Sequence, residues 1–255
     1  MLSFLAGSVL ATVTTPVGVS GAVFLMPVQI SVLQVPSPAV TPTNLLFNII
    51  AIPGALARYR RGAPLRSPLT AVVLAGTVPG VVIGAGVRVF LIPGPQVFQL
   101  FVAAILLPLG IWLCLRGRPR RRLTPPDQDS RRRIVLLGLA VGTVGGVYGI
   151  GGGSLLSPIL VGRGMPVGVV APAALTATFV TSVAGAGTYM LLAATQVDPV
   201  IVPHWTVGIA AGVGGLLGGY LGAALQPLLP ERFLRFTLGV LAIATAVFYS
   251  AKSVN

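Results

Sequence analysis

Apolar residues gather into eight long stretches, at roughly 2–34, 38–57, 67–91, 95–115, 134–162, 167–195, 200–222 and 231–251, four on each side of a polar interval. Most are about twenty residues or longer, the length a helix needs to cross a hydrocarbon core of about 30 Å. Inside such a core each backbone amide has to be satisfied within its own segment, so the pattern predicts membrane-spanning helices and an all-α integral membrane protein. The first stretch of each half does not fit a single crossing, because about 30 helical residues would extend roughly 45 Å. Each carries an interruption near its middle, Thr14–Gly21 in the first half and Gly145–Gly153 (GGVYGIGGG) in the second, with Gly18 of the one standing opposite Gly149 of the other. The arms on either side run to roughly 12–15 residues, about 20 Å each, and neither spans the core alone. Two arrangements follow: a kinked crossing, or a re-entrant hairpin whose tip stops near the midplane and returns to its own side.

The halves repeat one another. Gly18, Gly21 and Pro27 fall opposite Gly149, Gly152 and Pro158; after a one-residue adjustment Pro36, Pro42, Leu45 and Tyr59 meet Pro166, Pro172, Leu175 and Tyr189. Further on, Gly80 and Gly84 align with Gly214 and Gly218. The shared order of these pairs divides the chain into a first transmembrane repeat (1–115), a basic linker (116–133) and a second repeat (134–255). The linker holds eight arginines with prolines and two aspartates, a polar and flexible composition.

Charge separates the kinked from the hairpin arrangement. A kinked first segment puts both termini in the cytoplasm, with thirteen Lys and Arg residues inside and four outside; a hairpin puts both termini outside and changes the partition to fifteen and two. The positive-inside rule favours the hairpin, and an odd number of chain reversals per half then makes the repeats inverted. The expectation is therefore two inverted repeats of four apolar stretches, the first of each broken as a re-entrant helical hairpin, in the plasma membrane with external termini and a cytoplasmic linker.

Composition agrees and removes other classes. Hydrophobic residues make up 55% of the chain against 8% charged, with 33 glycines and a mean hydropathy of +0.94. The net charge of +13 sits in two short arginine-rich segments without aromatic interleaving, so it reads as loop anchoring and not nucleic-acid binding. With Cys114 and His204 each alone of its kind, there is no disulfide and no zinc cluster. The apolar start lacks a positively charged leader and reads as mature structure. Asp127, Asp129, Asp198 and Glu231 all lie in the linker or at segment ends, and no arginine is expected to be buried, so neither a proton relay nor an intramembrane enzyme site is in view. G-I-G-G-G lacks the strand and acidic partner of a dinucleotide site, and no cofactor is implied.

What the breaks do supply is an anion site. A helix that starts at the midplane presents unpaired N–H groups and about half a positive charge, and glycines let a ligand approach the backbone. This places a substrate site at Ser20, Gly21 and Ala22 of the first break and at Gly151, Gly152, Gly153 and Ser154 of the second. Asn44 and Asn48, one turn apart, and Thr178, in a region with Thr176, Thr181 and Ser182, are neutral donors suited to complete it. Tyr148 is placed in the site beside the second break, and with Thr14 and Thr15 it is a candidate for capping freed backbone groups. The small-residue spacings Gly80/Gly84 and Gly214/Gly218 are read as helix packing.

The first-segment sequence G-V-S-G-A-V-F-L-M-P (Gly18–Pro27), the fifth-segment sequence G-I-G-G-G-S-L-L-S-P (Gly149–Pro158) and the following A-P-A-A-L-T-A-T (Ala171–Thr178) resemble the sulfite exporter TauE/SafE family over nearly the whole chain. The resemblance implies a transporter of small sulfur-containing anions such as sulfite and sulfonates, with some relatives moving other organic anions. The first half departs by carrying Ser20 and Ala22 where the second has Gly151 and Gly153. Alternating access around a midplane site is the expected mechanism. An anion channel with the same site, or a non-catalytic membrane subunit of a larger complex, are the alternatives. The expected partners are a small anion and the lipid bilayer; homo-oligomerisation stays open.

Overall fold

The computed structural model describes residues 1–62, 65, 67–90, 107–108, 110–111, 114–115, 128–195 and 202–254. Most of the fourth apolar stretch, the linker up to Asp127, and Asp198 lie outside the described residues. Those described form helices joined by short turns, with no strand among them. In chain order they are α1 (Leu2–Thr14), α2 (Ala22–Ser31), α3 (Ser37–Tyr59), α4 (Pro68–Phe90), α5 (Gln128–Tyr148), α6 (Gly152–Gly162), α7 (Val167–Thr195), α8 (Trp205–Leu225) and α9 (Glu231–Val254). Four stretches among them are long and apolar enough to cross a membrane: Ala39–Tyr59, Pro68–Phe90, Val167–Ala194 and Trp205–Leu228. Helix α5 begins inside the interval read as linker, and Arg131–Arg133 are exposed on its first turns.

Both predicted breaks are present, and each has a local cause. After α1 a 3-10 turn, Thr15–Val17, ends at Gly18, whose φ of 74° is closed to most side chains. The second break is narrower than the sequence indicates, since α5 continues through Gly145 and Gly146 and only Gly149–Gly151 leave the helix. Gly149 and Gly151 adopt φ of 70° and 72°. At both places the chain comes back beside itself: a Cβ on Gly21 would sit 3.3 Å from the Ala11 nitrogen, and one on Gly152 would sit 3.1 Å from the Gly142 Cα. Gly145 is glycine because the returning chain passes over it, 2.7 Å from a Cβ to the Gly151 carbonyl carbon.

The long helices pack through glycine ladders. Gly76, Gly80 and Gly84 of α4 lie against the carbonyl oxygens of Val135, Leu139 and Thr143 of α5, where any Cβ would overlap the backbone. Gly214, Gly218 and Gly222 of α8 lie in the same way on Phe4, Ser8 and Thr12 of α1. The offset that carries Gly18 onto Gly149 also carries Phe4, Ser8 and Thr12 onto Val135, Leu139 and Thr143. One contact is therefore made twice, each time between the first helix of one half and the helix of the third apolar stretch of the other. This corrects the sequence register by one turn: Gly80 corresponds in its contacts to Gly218, not Gly214. A glycine every four residues looks the same after a one-turn slip, which is why the alignment missed it. Helix α3 packs on α8, α7 touches both α3 and α4, and the short α2 and α6 rest on α3 and α7 respectively.

Candidate functional site

A broken helix inside an apolar core frees carbonyls that have no water to turn to. Here distant helices supply the donors. At the first break, the Tyr59 hydroxyl donates to Thr15 O (3.1 Å), Gln226 Nε2 to Pro16 O (2.7 Å) and Ser157 Oγ to Val17 O (2.6 Å). At the second, the Tyr189 hydroxyl donates to Gly146 O (2.9 Å), Thr41 Oγ1 to Val147 O (3.2 Å) and Asn48 Nδ2 to Gly149 O (3.3 Å). Tyr59 and Tyr189, aligned in the sequence, serve the carbonyls of Thr15 and Gly146, which the pairing of Gly18 with Gly149 also brings opposite one another. Thr14 does not cap the break; its hydroxyl donates back to Leu10 O within α1.

The two tips meet. The Ser20 amide donates to Ser154 Oγ at 3.1 Å, joining the first break to the start of α6. Ser154 Oγ shares a hydrogen bond with Thr178 Oγ1 at 3.2 Å, and Thr178 Oγ1 donates to Ala174 O at 2.9 Å. Ser20 Oγ donates to Asn48 Oδ1 and accepts from the Ala22 amide at 3.1 Å. The Gly152 amide, first of α6, donates to Thr181 Oγ1 at 3.2 Å. Ser20, Asn48, Ser154 and Thr178 are each at most 3% exposed. The first amide of each short helix is thus held by a hydroxyl, in a cluster made of neutral donors and acceptors. Two small clefts flank it, one bounded by Thr15, Ser20, Gly21, Phe47 and Leu175, the other by Val19, Val23, Ser154, Leu155 and Leu238, each with room for about one water.

Of the residues predicted for the site, Ser20, Ala22, Asn48, Gly152, Ser154 and Thr178 are joined by these bonds, and Gly21 lines the first cleft. Gly151 and Gly153 sit against α7, the first at Thr178 and the second at Thr178 and the Ala174 carbonyl, while Gly152 also rests on Thr77 of α4. The three glycines let the tip enter between helices, a packing task that stands beside any role in ligand approach. Tyr148 closes α5 within the apolar core. Asn44 is fully buried with no hydrogen-bond partner for either side-chain atom. Sequence reasoning missed Ser157, Gln226 and Gln29; the only signal for them is a polar residue in an apolar run.

One expectation is overturned: an arginine is buried. Arg235, 4% exposed, lies one turn into α9 and donates to Val161 O (3.0 Å) and Met165 O (3.2 Å) at the end of α6. Its Nε pairs with Glu231 Oε1 at 3.2 Å, and the same oxygen accepts the Val167 amide that opens α7 at 3.0 Å. The i,i+4 spacing lets the pair satisfy both helix ends, cation at the C-terminus and anion at the N-terminus. No group of three metal-ligating side chains occurs among the described residues.

The family model for the sulfite exporter TauE/SafE proteins matches residues 3–249. The chain belongs to the sulfite exporter TauE/SafE family. A protein of Xylella fastidiosa (strain Temecula1 / ATCC 700964), described as a probable membrane transporter protein, is 24% identical over 248 residues, covering 92% of this chain and 89% of its own length. Its counterpart in strain 9a5c is equally similar. Sulfite exporter TauE/SafE family protein 5 of Arabidopsis thaliana is 30% identical over 91 residues, 36% of this chain and 20% of that protein. No solved structure matches the chain significantly. This TauE/SafE family member is an integral membrane transporter and not an enzyme.

Proposed function

We propose that the protein carries small sulfur-containing or related organic anions, sulfite and sulfonates foremost, by alternating access around the cluster where its two chain breaks meet. The observation that carries this reading is the Ser20–Ser154 hydrogen bond, which joins the two halves at the starts of their short helices. An oxyanion entering there finds the hydroxyls of Ser20, Ser154, Thr178 and Thr181, the Asn48 amide and the leading amides of α2 and α6, all donors once their bonds to one another and to the carbonyls of Ala174, Ala177 and Gly149 are exchanged. With no fixed cation in the cluster the ligand is held weakly enough to leave, as transport requires. Movement of one repeat against the other exchanges these internal bonds for bonds to the ligand.

The same reading takes the breaks as re-entrant hairpins and the repeats as inverted. It is supported by the return of Gly21 beside Ala11 and of Gly152 beside Gly142, by the twice-made glycine-ladder contact, and by the charge partition that puts the termini outside. Paired C-terminal fusions test the orientation: alkaline phosphatase active and green fluorescence absent is the expected result, and the reverse pattern removes it.

Flux of labelled sulfite and methanesulfonate into proteoliposomes tests the function. Thr178→Val keeps the side-chain shape and deletes the hydroxyl. Saturable flux in the parent, reduced at least tenfold in Thr178→Val at equal folded protein, is expected, a loss of about 1.4 kcal/mol. Full flux in the variant moves the site elsewhere.

A further inference from the structure

Among the described residues, five buried side-chain atoms find no hydrogen-bond partner: Nε2 and Oε1 of Gln29, Nδ2 and Oδ1 of Asn44, and Oγ of Ser182. All three residues are 0% exposed. Polar groups buried without partners are costly, and an apolar membrane core offers no bulk water to relieve them. Their placement is not scattered. Helix α2 starts at the cluster, where Gly21 faces Phe47, and runs to the Val32–Pro36 turn that leads into α3, so it lies antiparallel to α3. Gln29, two turns beyond Ala22, is therefore displaced from the cluster toward the start of α3. Asn44 is displaced the same way, one turn before Asn48 and on the face that carries Thr41 and Asn48 to Gly149. Helix α7 is antiparallel to α3 as well, because Leu45 meets Gly185 while Ile52 and Leu175 share a cleft. Ser182, one turn after Thr178, again lies on the same side.

The repeat supplies a control. The register that pairs Gly18 with Gly149 places Leu160 opposite Gln29, and the register that pairs Tyr59 with Tyr189 places Ala174 opposite Asn44 and Ile52 opposite Ser182. Leu160, Ala174 and Ile52 are all buried and all apolar. On that opposite side the Arg235–Glu231 pair fastens α9 to the ends of α6 and α7. The polar groups are thus a property of one side of the cluster and not of the repeat.

We infer that Gln29, Asn44 and Ser182 form a second, outer subsite for a small oxyanion, between the cluster and the membrane face that holds the Val32–Pro36 turn. Two carboxamides and a hydroxyl offer donors without charge, which suits a partly hydrated sulfonate or sulfite in passage. The subsite rests on the anion-transport reading, and its test separates the two. In a Cys114→Ser background, Ser182→Cys is exposed to a membrane-impermeant thiol reagent in sealed vesicles, with Val32→Cys, at an exposed position, marking that face and Ile52→Cys as the apolar equivalent. The expected result is labelling of Ser182→Cys from the Val32 side, slowed by methanesulfonate, and no labelling of Ile52→Cys from that side. Absence of labelling, or labelling indifferent to methanesulfonate, overturns the subsite. Gln29→Leu, which installs the residue of the other half, is expected to raise KM for methanesulfonate about threefold to tenfold from the Val32 side only. An equal change from both sides, or none, also overturns it. Protected labelling of Ser182→Cys together with no saturable flux in the parent instead refutes the transport reading and leaves an anion-binding vestibule.

Discussion

Alanine at Gly153 is expected to destabilise the protein, although the same substitution at Gly187 stabilises it. Both glycines are helical, and Gly→Ala in a helix gains roughly 0.5–1 kcal/mol when nothing opposes it. Gly187 meets that condition: it is exposed in α7, and a Cβ there would find nothing within 4 Å. At Gly153 the added carbon would overlap the Ala174 carbonyl oxygen and come within 2.7 Å of Thr178 Oγ1. Ordinary contact lies near about 3.5 Å, so α6 has to retreat from α7 by roughly 1 Å or more. Overpacking of this kind costs about 1–3 kcal/mol, and because the obstacle is backbone the upper part of that range applies. The net loss is about 1–2 kcal/mol after the propensity gain, which for a domain of this size lowers the unfolding midpoint by roughly 2–8 °C.

Thermal unfolding of the purified variants in one detergent at one scan rate measures this. Gly153→Ala falls below the parent and Gly187→Ala rises above it by a few degrees. The retreat also pulls Ser154 from Thr178, now 3.2 Å apart, so flux per folded molecule falls in Gly153→Ala and not in Gly187→Ala. Equal shifts at the two positions, or a Gly153→Ala protein as stable as the parent, would refute the close seating of α6 on α7.

Other consequences can be read from the same contacts. Tyr59→Phe and Tyr189→Phe each remove the side-chain donor to a carbonyl beside a break and should each cost about 0.5–1.5 kcal/mol, seen as similar drops in midpoint, with Thr15 O retaining the Gly18 amide; a loss confined to one would break the equivalence of the two breaks. Arg235→Met leaves Val161 O and Met165 O without these donors and Glu231 without its partner, and about 2 kcal/mol or more should be lost in the same assay, with Arg235→Lys recovering only part because one ammonium cannot reproduce the fork. Gly80→Leu and Gly218→Leu press a side chain into the backbone of α5 and α1, and folded protein recovered from membranes should drop sharply for both; normal yields would place the ladders elsewhere.

The parts of this structure legible in the sequence are those written in local pattern. The stretch lengths announce helices, and a glycine-rich interruption in a run too long for one crossing announces a break, because both depend on neighbours in the chain. The register of the glycine ladders was not legible, since a four-residue repeat has no unique alignment and only the carbonyls of Phe4 and Val135 fix it. The burial of Arg235 was not legible either, because it follows from where α6 and α7 terminate, which α9 alone does not encode. Ser157 and Gln226 escaped notice for a related reason, as each serves a carbonyl far away in the chain, at Val17 and Pro16.

The donors at the breaks bear on why the two halves have diverged. Interrupting a helix in an apolar core is tolerable only if its carbonyls are met, and six of them accept side chains from other elements: Thr15, Pro16 and Val17 at one break, Gly146, Val147 and Gly149 at the other. Only the tyrosines are common to both sets; the remaining donors differ in type and in the element they come from. Each half can therefore change its polar residues without losing the break, provided the carbonyl count is met. That freedom allows Gln29, Asn44 and Ser182 to stand on one side of the cluster while Leu160, Ala174 and Ile52 stand on the other. On the proposed anion path this one-sidedness would give the ligand different surroundings on the two sides of the cluster, so the affinities measured from the two faces of the membrane are expected to differ.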